Sequence, residues 1–246
     1  GISGAIGITQ NHKAVISITG GTFSSNVSDY VPTNYECAKN DNNTYTVSKL
    51  DDKLVVKPGT DGSATLEGDF GTGGTIEDST GGDSKIENDS VTVDMRTADD
   101  NNDSATLTVT HETAQSLEAA SELTVKTDAG TVTLDSTALD KVSKTEADVE
   151  ITIKKTESTD TNVAAAYTIS VTASNTDLLP DGEINGTITI SVPLPADTSV
   201  DRLYPWYVVT SGNVKTYVEE LTKVAAEDGM IAFQIGHLSD IELLTQ

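Results

Sequence analysis

The side chains in this sequence with most chemical potential are three acids in one short segment. Asp99, Asp100 and Asp103 lie with two asparagines between residues 97 and 104, and their oxygens could coordinate Ca²⁺. The spacing lacks the glycine and the terminal glutamate of an EF-hand loop. A solvated turn is therefore the simpler interpretation. No cofactor is expected, and Ca²⁺ is the one cation that this loop could take.

The remaining nucleophiles and metal ligands do not form a recognised catalytic pattern. His12, His111 and His237 are far apart, and none has a His or Cys neighbour at metal-ligand spacing. Cys37 is the single cysteine, so no intrachain disulfide can form, and no nucleophile motif surrounds it. No Gly-x-Ser-x-Gly elbow is present either. We therefore expect a protein that is not an enzyme.

An aromatic segment offers a different kind of chemistry. Tyr204, Trp206 and Val208 alternate along the sequence and would share one face of a strand. A tryptophan beside a tyrosine can form a platform on which a sugar ring stacks, so Tyr204 and Trp206 are candidate ligand-binding residues. Trp206 is also the only tryptophan in a chain with 4% aromatic residues. Anchoring in the core is the simpler expectation for it.

The charge of the chain limits its partners. Thirty-nine acidic and 15 basic residues give a formal net charge of −24, which would repel nucleic acid and anionic membrane surfaces. No stretch approaches the ~20 apolar residues of a membrane helix. We expect a monomer that binds a glycan or protein of a host or cell wall, with no nucleic acid and no direct membrane insertion. Gly1 is a poor natural start, so we also expect a removed leader and further upstream sequence.

Short strands with polar turns must position these residues. Leu123 and Val125, then Val132 and Leu134, alternate with polar residues on either side of Gly130, which predicts a β-hairpin with one apolar face. The segments 90–95 and 105–110 also alternate and predict a second hairpin around the acidic turn. Helical spacing predicts short helices near 112–120 and 136–144, the second capped by Ser136. The pattern favours a mainly β, β-sandwich-like antiparallel domain with two short connecting helices.

The first part of the chain reads differently. The segment 18–31, followed by Tyr35 and by 40–47, resembles the last rung and closing hairpin of right-handed β-helix domains in large surface proteins of Gram-positive gut bacteria. One rung cannot close a β-helix core alone, so we expect residues 1–58 to form a small β segment resembling the end of a β-helix. Glycines accumulate in residues 59–87. This composition is compatible with two interpretations, a Gly-rich linker or edge strands.

Residues 88–246 carry a second resemblance and read as the β-sandwich module. This part of the chain resembles a module of surface-layer-associated and adhesin-like proteins of Gram-positive bacteria. The resemblance rests on the segment 124–135, a strand ending at Pro193, the run 204–207 and His237-Leu238-Ser239. The module usually has Phe where this chain has Leu238. The resemblance implies an extracellular, non-enzymatic protein of the bacterial cell surface, an adhesin or a structural and display module. A carbohydrate-binding module, or an accessory domain of a polysaccharide-degrading enzyme, is the alternative.

Overall fold

The chain divides into two compact units, residues 1–50 and residues 51–246, in a computed structural model. The structure describes residues 16–32, 35–40, 42–49, 53–60, 62–71, 74–96, 102–179, 188–211, 214–238 and 240–245. Within these ranges no helix is both long enough and apolar enough to cross a membrane.

The first unit contains a three-stranded antiparallel sheet. Its strands are β1 (Gly21–Phe23), β2 (Tyr35–Lys39) and β3 (Tyr45–Lys49), in the order β1-β3-β2, and a 3₁₀ turn occupies Ser28–Tyr30. The β2–β3 hairpin that the sequence predicts is present. Its turn is stabilised by Asn40, whose Nδ2 donates to the hydroxyls of Thr44 (2.9 Å) and Thr46 (2.8 Å). Asn43 takes the positive φ of 60° that such a turn requires.

The second unit holds the remaining strands and both α-helices. The first strands and the first helix are β4 (Lys53–Pro58), β5 (Ser63–Gly68), β6 (Thr75–Asp78), β7 (Lys85–Glu87), β8 (Ser90–Asp94), β9 (Ser104–Val109) and α1 (His111–Ser116). Then follow β10 (Glu122–Thr127), β11 (Gly130–Asp135), α2 (Ser136–Ser143), β12 (Val149–Thr156), β13 (Val163–Ala173), β14 (Thr176–Asp177) and β15 (Ile188–Pro193). The last strands are β16 (Leu203–Ser211), β17 (Val214–Glu220), β18 (Thr222–Val224), β19 (Met230–Ile235) and β20 (Asp240–Thr245).

Two sheets of this unit share one hydrophobic core, which makes the fold mainly β and sandwich-like. The seven-stranded sheet has the order β18-β19-β15-β11-β10-β8-β7. The larger sheet has the order β17-β16-β20-β13-β12-β9-β5-β4-β6, with β14 paired to β13. Most pairs are antiparallel, but β8–β10, β5–β9 and β4–β6 are parallel. In both sheets Val, Ile and Leu alternate inward with Thr and Ser outward, as a half-buried strand requires.

The predicted hairpin and helices lie where the chain changes sheets. Strands β10 and β11 pair from Glu122↔Asp135 to Thr127↔Gly130, and Gly130 has the expected positive φ of 155°. Helix α1 and the 3₁₀ turn Leu117–Ala119 lead from the larger sheet to β10, while α2 leads back from β11 to β12; the two helices contact each other. The cap of α2 was predicted one residue late: Asp135, not Ser136, accepts hydrogen bonds from Thr137 N (3.0 Å) and Ala138 N (2.9 Å).

Of the two alternatives for residues 59–87, a Gly-rich linker or edge strands, the structure has strands: β6 and β7 lie at the edges of the two sheets, and β5 pairs with β4 and β9 inside the larger sheet. The first compact unit ends at residue 50, whereas the expected β segment extended to residue 58. The predicted 90–110 hairpin is absent, since β8 belongs to the seven-stranded sheet and β9 to the larger one.

A polar network holds the crossing between β6 and β7. The Asp78 carboxylate accepts hydrogen bonds from Thr80 N (2.7 Å) and from the Ser84 hydroxyl, which also accepts from Asp94 N (2.9 Å). A Cβ at Gly82 would lie 1.7 Å from the carbonyl oxygen of Asp94. Glycine is therefore required where this crossing passes over β8.

Candidate functional site

The structure places Trp206 on the solvent side of the larger sheet, and the expectation of a core anchor is wrong. Leu203 and Tyr207 of β16 are buried in the core, whereas Tyr204 and Trp206 alternate with them and are half-buried on the outer face. Strand β16 is interior, between β17 and β20, as the hairpin pattern predicts. An interior position means that the backbone of β16 is hydrogen-bonded on both sides. It does not determine which side chains face solvent, because side chains alternate between the two faces of a strand.

Neighbouring strands bring further residues to Trp206. Trp206 lies opposite Glu242 of β20. A register shift in β17 places Tyr217 opposite Val208, the next residue of β16 on the same face as Trp206. The rings of Trp206 and Tyr217 meet edge to face, with centroids 6.1 Å apart and an angle of 83°. We call Tyr204, Trp206 and Tyr217 the aromatic patch.

A buried carboxylate supports the aromatic patch from below. Glu242 is 5% exposed although it faces outward, and it accepts hydrogen bonds from Tyr217 Oη (2.7 Å) and Lys215 Nζ. Burial, followed by this hydrogen bond and the charge of Glu242, raises the pKa of Tyr217 to about 12. The phenol therefore stays protonated and keeps donating to the carboxylate at neutral pH. The arrangement fixes the Tyr217 ring beside Trp206.

Tyr204 is positioned by a lysine of the other sheet. Lys223 Nζ lies 5.0 Å from the centroid of the Tyr204 ring, within the range of a cation–π contact. The same ammonium group donates to the carbonyl oxygens of Val200 and Leu203, at 3.0 Å each. These bonds hold the ammonium in place, so Tyr204 rests on a fixed charge.

The hairpin beyond the aromatic patch projects into solvent. Residues 209–211 and 214–216 are exposed on both faces of the ribbon, among them Val209 (41%) and Val214 (66%). Val218, at the register shift, is 52% exposed. The pairings Val209↔Thr216 and Ser211↔Val214 place these two valines on the face of the ribbon opposite Trp206 and Tyr217, so they are not part of the aromatic patch.

The acidic loop offers no assembled metal site in the part of the chain that the structure describes. Asp99 and Asp100 lie outside the described residues. Asp103 lies 3.9 Å from Lys155 Nζ and lines a cavity of about 350 Å³ with Tyr167, at the end of the sandwich. Burial, and then the charge of Asp103, raises the pKa of Tyr167 to about 12. Among the described residues no three His, Cys, Asp or Glu side chains lie close enough to hold a metal ion.

The other candidate nucleophiles and ligands that the structure describes each have their own local surroundings. His237 is buried and packs edge to face on Tyr207, with ring centroids 4.2 Å apart. His111 begins α1, its backbone N–H bonded to Asp148 at 2.8 Å, and His12 lies outside the described residues. The thiol of Cys37, in the first unit, faces Asn26 Oδ1 at 3.6 Å. None of these residues that the structure describes belongs to a group of three possible metal ligands.

Sequence reasoning named Tyr204 and Trp206 but missed Tyr217, Lys215 and Glu242. The alternation of Lys215 and Tyr217 signals that they share a face, yet their position beside Trp206 depends on the register of the β16–β17 hairpin. Comparisons with protein-family models, with curated proteins and with solved structures found no match for this chain. The site is therefore interpreted from its own geometry.

Proposed function

We propose that this chain is a non-enzymatic module of an extracellular bacterial surface protein, an adhesin or display module that binds carbohydrate through the aromatic patch. The observation that carries the proposal is the placement of the single tryptophan on the solvent side of the sheet beside two tyrosines. Large aromatic side chains on a surface mark contact sites, because one face of the ring is apolar and the edge can be polar.

The chemistry of the patch suits a sugar better than a protein or an anion. Sugar rings present C–H faces that stack on aromatic rings and hydroxyls that need donors and acceptors. Trp206 and Tyr204 offer the rings, while Lys215 and the Tyr217 hydroxyl, both held by the buried Glu242, offer hydrogen-bonding groups within the same face. The net charge of −24 opposes an anionic ligand.

The resemblance of residues 88–246 to adhesin-like modules supports the cellular part of the proposal. Thr- and Ser-rich outer faces and a strongly acidic chain also suit a protein that must stay soluble outside the cell. An accessory domain of a polysaccharide-degrading enzyme would use the same binding chemistry in a different full-length protein. Protease shaving of intact cells, with recovery of peptides from residues 88–246, tests the surface location.

A binding experiment tests the patch. The full chain and the variant Trp206→Ala are applied to a glycan array, with Tyr30→Ala as the matched control, because Tyr30 is an exposed aromatic (43%) of the first unit. Binding that survives in the control and is lost in Trp206→Ala supports the proposal. Equal binding by all three proteins, or none by the wild type, contradicts it.

Two further readouts sharpen this test. When a sugar that binds on the array is added, the emission of the only tryptophan should shift, and its indole should become less accessible to quenchers. Incubation of the chain with the same glycans should release no reducing ends. Catalytic turnover of any glycan would overturn the non-enzymatic part of the proposal while leaving the binding part intact.

A further inference from the structure

A separate cleft lies on the outer face of the seven-stranded sheet. Its volume is about 400 Å³, within the range of small-ligand sites. Its floor crosses β10, β11, β15 and β19, and the wall is the segment 225–229 between β18 and β19. Ala232, on the floor, is only 3% exposed although Ile231 and Phe233 on either side of it face the core. Residues 225–227 of the wall line the cleft together with Ala232.

The floor of the cleft is a lattice of hydroxyl groups. Thr133 pairs with Thr189, and Thr131 pairs with Ser191, so four hydroxyl side chains face outward in two adjacent rows. Neighbouring strands lie about 4.8 Å apart, and a hydroxyl can both donate and accept. The side chains of Thr189 and Ser191 have no hydrogen-bond partner among the described residues and are free to bond a ligand.

The wall is held in place by the backbone. Leu194 N donates to Gly229 O at 2.9 Å, and Met230 N donates to Glu227 O at 3.1 Å. Gly229 takes a φ of +80°, which allows the sharp return into β19. The cleft is therefore formed before a ligand arrives, which reduces the entropic cost of binding.

The rim carries charges of both signs. The guanidinium of Arg96 donates two hydrogen bonds to the Asp94 carboxylate, at 2.8 and 2.5 Å, and the Arg96 side chain remains 47% exposed. Lys126 Nζ and Glu227 Oε1 face each other across 4.0 Å, a separation at which each still has room for a further hydrogen bond. The rim supplies strong donors and acceptors with little net charge.

We propose that this cleft binds an uncharged mono- or disaccharide. A saccharide matches a floor of hydroxyls, a rim of paired charges, and the small apolar surfaces of Pro193, Ala226 and Met230 that can contact its C–H groups. An anionic ligand fits less well, because the rim is nearly neutral and the chain as a whole is strongly negative. The site goes beyond the aromatic patch, which lies on the other sheet and is made of different residues.

Amide-resolved NMR of the full chain provides the test. Neutral disaccharides (cellobiose, lactose, maltose and diacetylchitobiose) and the acidic digalacturonate are titrated separately to about 10 mM, a range that detects millimolar binding. We expect at least one neutral sugar to shift the resonances of 189–191 and 225–230, and digalacturonate to bind more weakly. Shifts confined to the aromatic patch, or none from any neutral sugar, would overturn the inference. A stronger response to digalacturonate would overturn its neutral-ligand part.

Paired variants separate the cleft from general effects of substitution. Thr189→Val removes one floor hydroxyl at constant volume and should weaken sugar binding about 2- to 12-fold; Ser191→Phe should fill the cleft and abolish binding. Thr108→Val and Ser170→Phe make the same changes on the outer face of the larger sheet and should leave binding unchanged. Equal loss in both pairs would contradict the assignment. Trp206→Ala should not affect this site, so failure of the aromatic patch and failure of the cleft are distinguishable.

Discussion

The placement of Trp206 can be tested through stability, by comparing it with a true core residue. Phe233 is fully buried between the sheets, so Phe233→Ala should leave a closed cavity and cost about 3–5 kcal/mol. Trp206 is half-buried on an open face, and water can occupy the space that its removal leaves. Only part of the transfer free energy is then lost, and Trp206→Ala should cost about 1–2 kcal/mol.

These two costs differ enough to separate in a melting experiment. In a protein of this size, 1 kcal/mol lowers Tm by about 2–4 °C. Phe233→Ala should therefore melt about 6–20 °C below the wild type and Trp206→Ala about 2–8 °C below it. Thermal unfolding followed by far-ultraviolet circular dichroism, with urea unfolding as a second measure, gives both values. A loss for Trp206→Ala as large as that for Phe233→Ala would refute the outward placement and return Trp206 to the core.

Three further predictions concern a close backbone contact at Gly82 and two titratable side chains, Asp94 and Tyr167. Gly82→Ala should cost about 1–3 kcal/mol in urea unfolding because its Cβ would collide with a backbone carbonyl, and Gly236→Ala, where space is open, should be close to neutral. Burial opposes ionisation of Asp94, but the hydrogen bonds and charge of Arg96 outweigh it and lower the pKa of the carboxyl below 3.8. The stability that this carboxylate contributes is present above pH 3.8 and is lost as the pH falls through its lowered pKa, so Asp94→Asn should cost about 1.5–3 kcal/mol at pH 7 and less in acid; a larger loss in acid than at pH 7 would contradict this. The raised pKa of Tyr167, about 12 against 10.0, means that stability falls by about 2–3 kcal/mol as pH rises through that interval. Tyr167→Phe should flatten this alkaline loss, and an unchanged pH profile would count against the burial argument.

Local patterns predicted the elements whose geometry is local. The β10–β11 hairpin follows from four alternating apolar residues and one glycine, and all four are buried as expected. The helices follow from short apolar periods next to polar caps, with Asp135 replacing Ser136 because either side chain can accept the same backbone N–H groups. In each case the information lies within about a dozen residues.

The assignment of strands to sheets could not be read in the same way. Strands β8 and β9 alternate equally well whether they pair with each other or lie in opposite sheets, and the parallel pairs β8–β10 and β5–β9 join segments distant in sequence. The glycines of 59–87 suggested a linker. In the structure Gly68 has a φ of +108° and packs where a Cβ would lie 2.1 Å from Lys53 O, so it permits a close approach of β4 and β5.

The candidate sites were hidden for a related reason. Alternation placed Tyr204 and Trp206 on one face but could not say which face was solvent, because both faces of β16 carry aromatic residues. Tyr217 and Glu242 reach Trp206 only through pairing with β17 and β20. The cleft depends on four strands and on a segment that folds over them, and its threonines look like ordinary strand residues in the sequence.

Threonine and serine by themselves do not indicate function in this protein. They cover the outer faces of both sheets, where β propensity and solubility are sufficient reasons for them. What distinguishes the two proposed sites is a further feature on each face. Trp206 is a large aromatic residue on the outer face of the larger sheet, and residues 225–227 line a cleft of about 400 Å³ on the outer face of the other sheet. Burial in the core explains neither feature, so a contact surface at the first and a ligand cleft at the second are the physical reasons left to test.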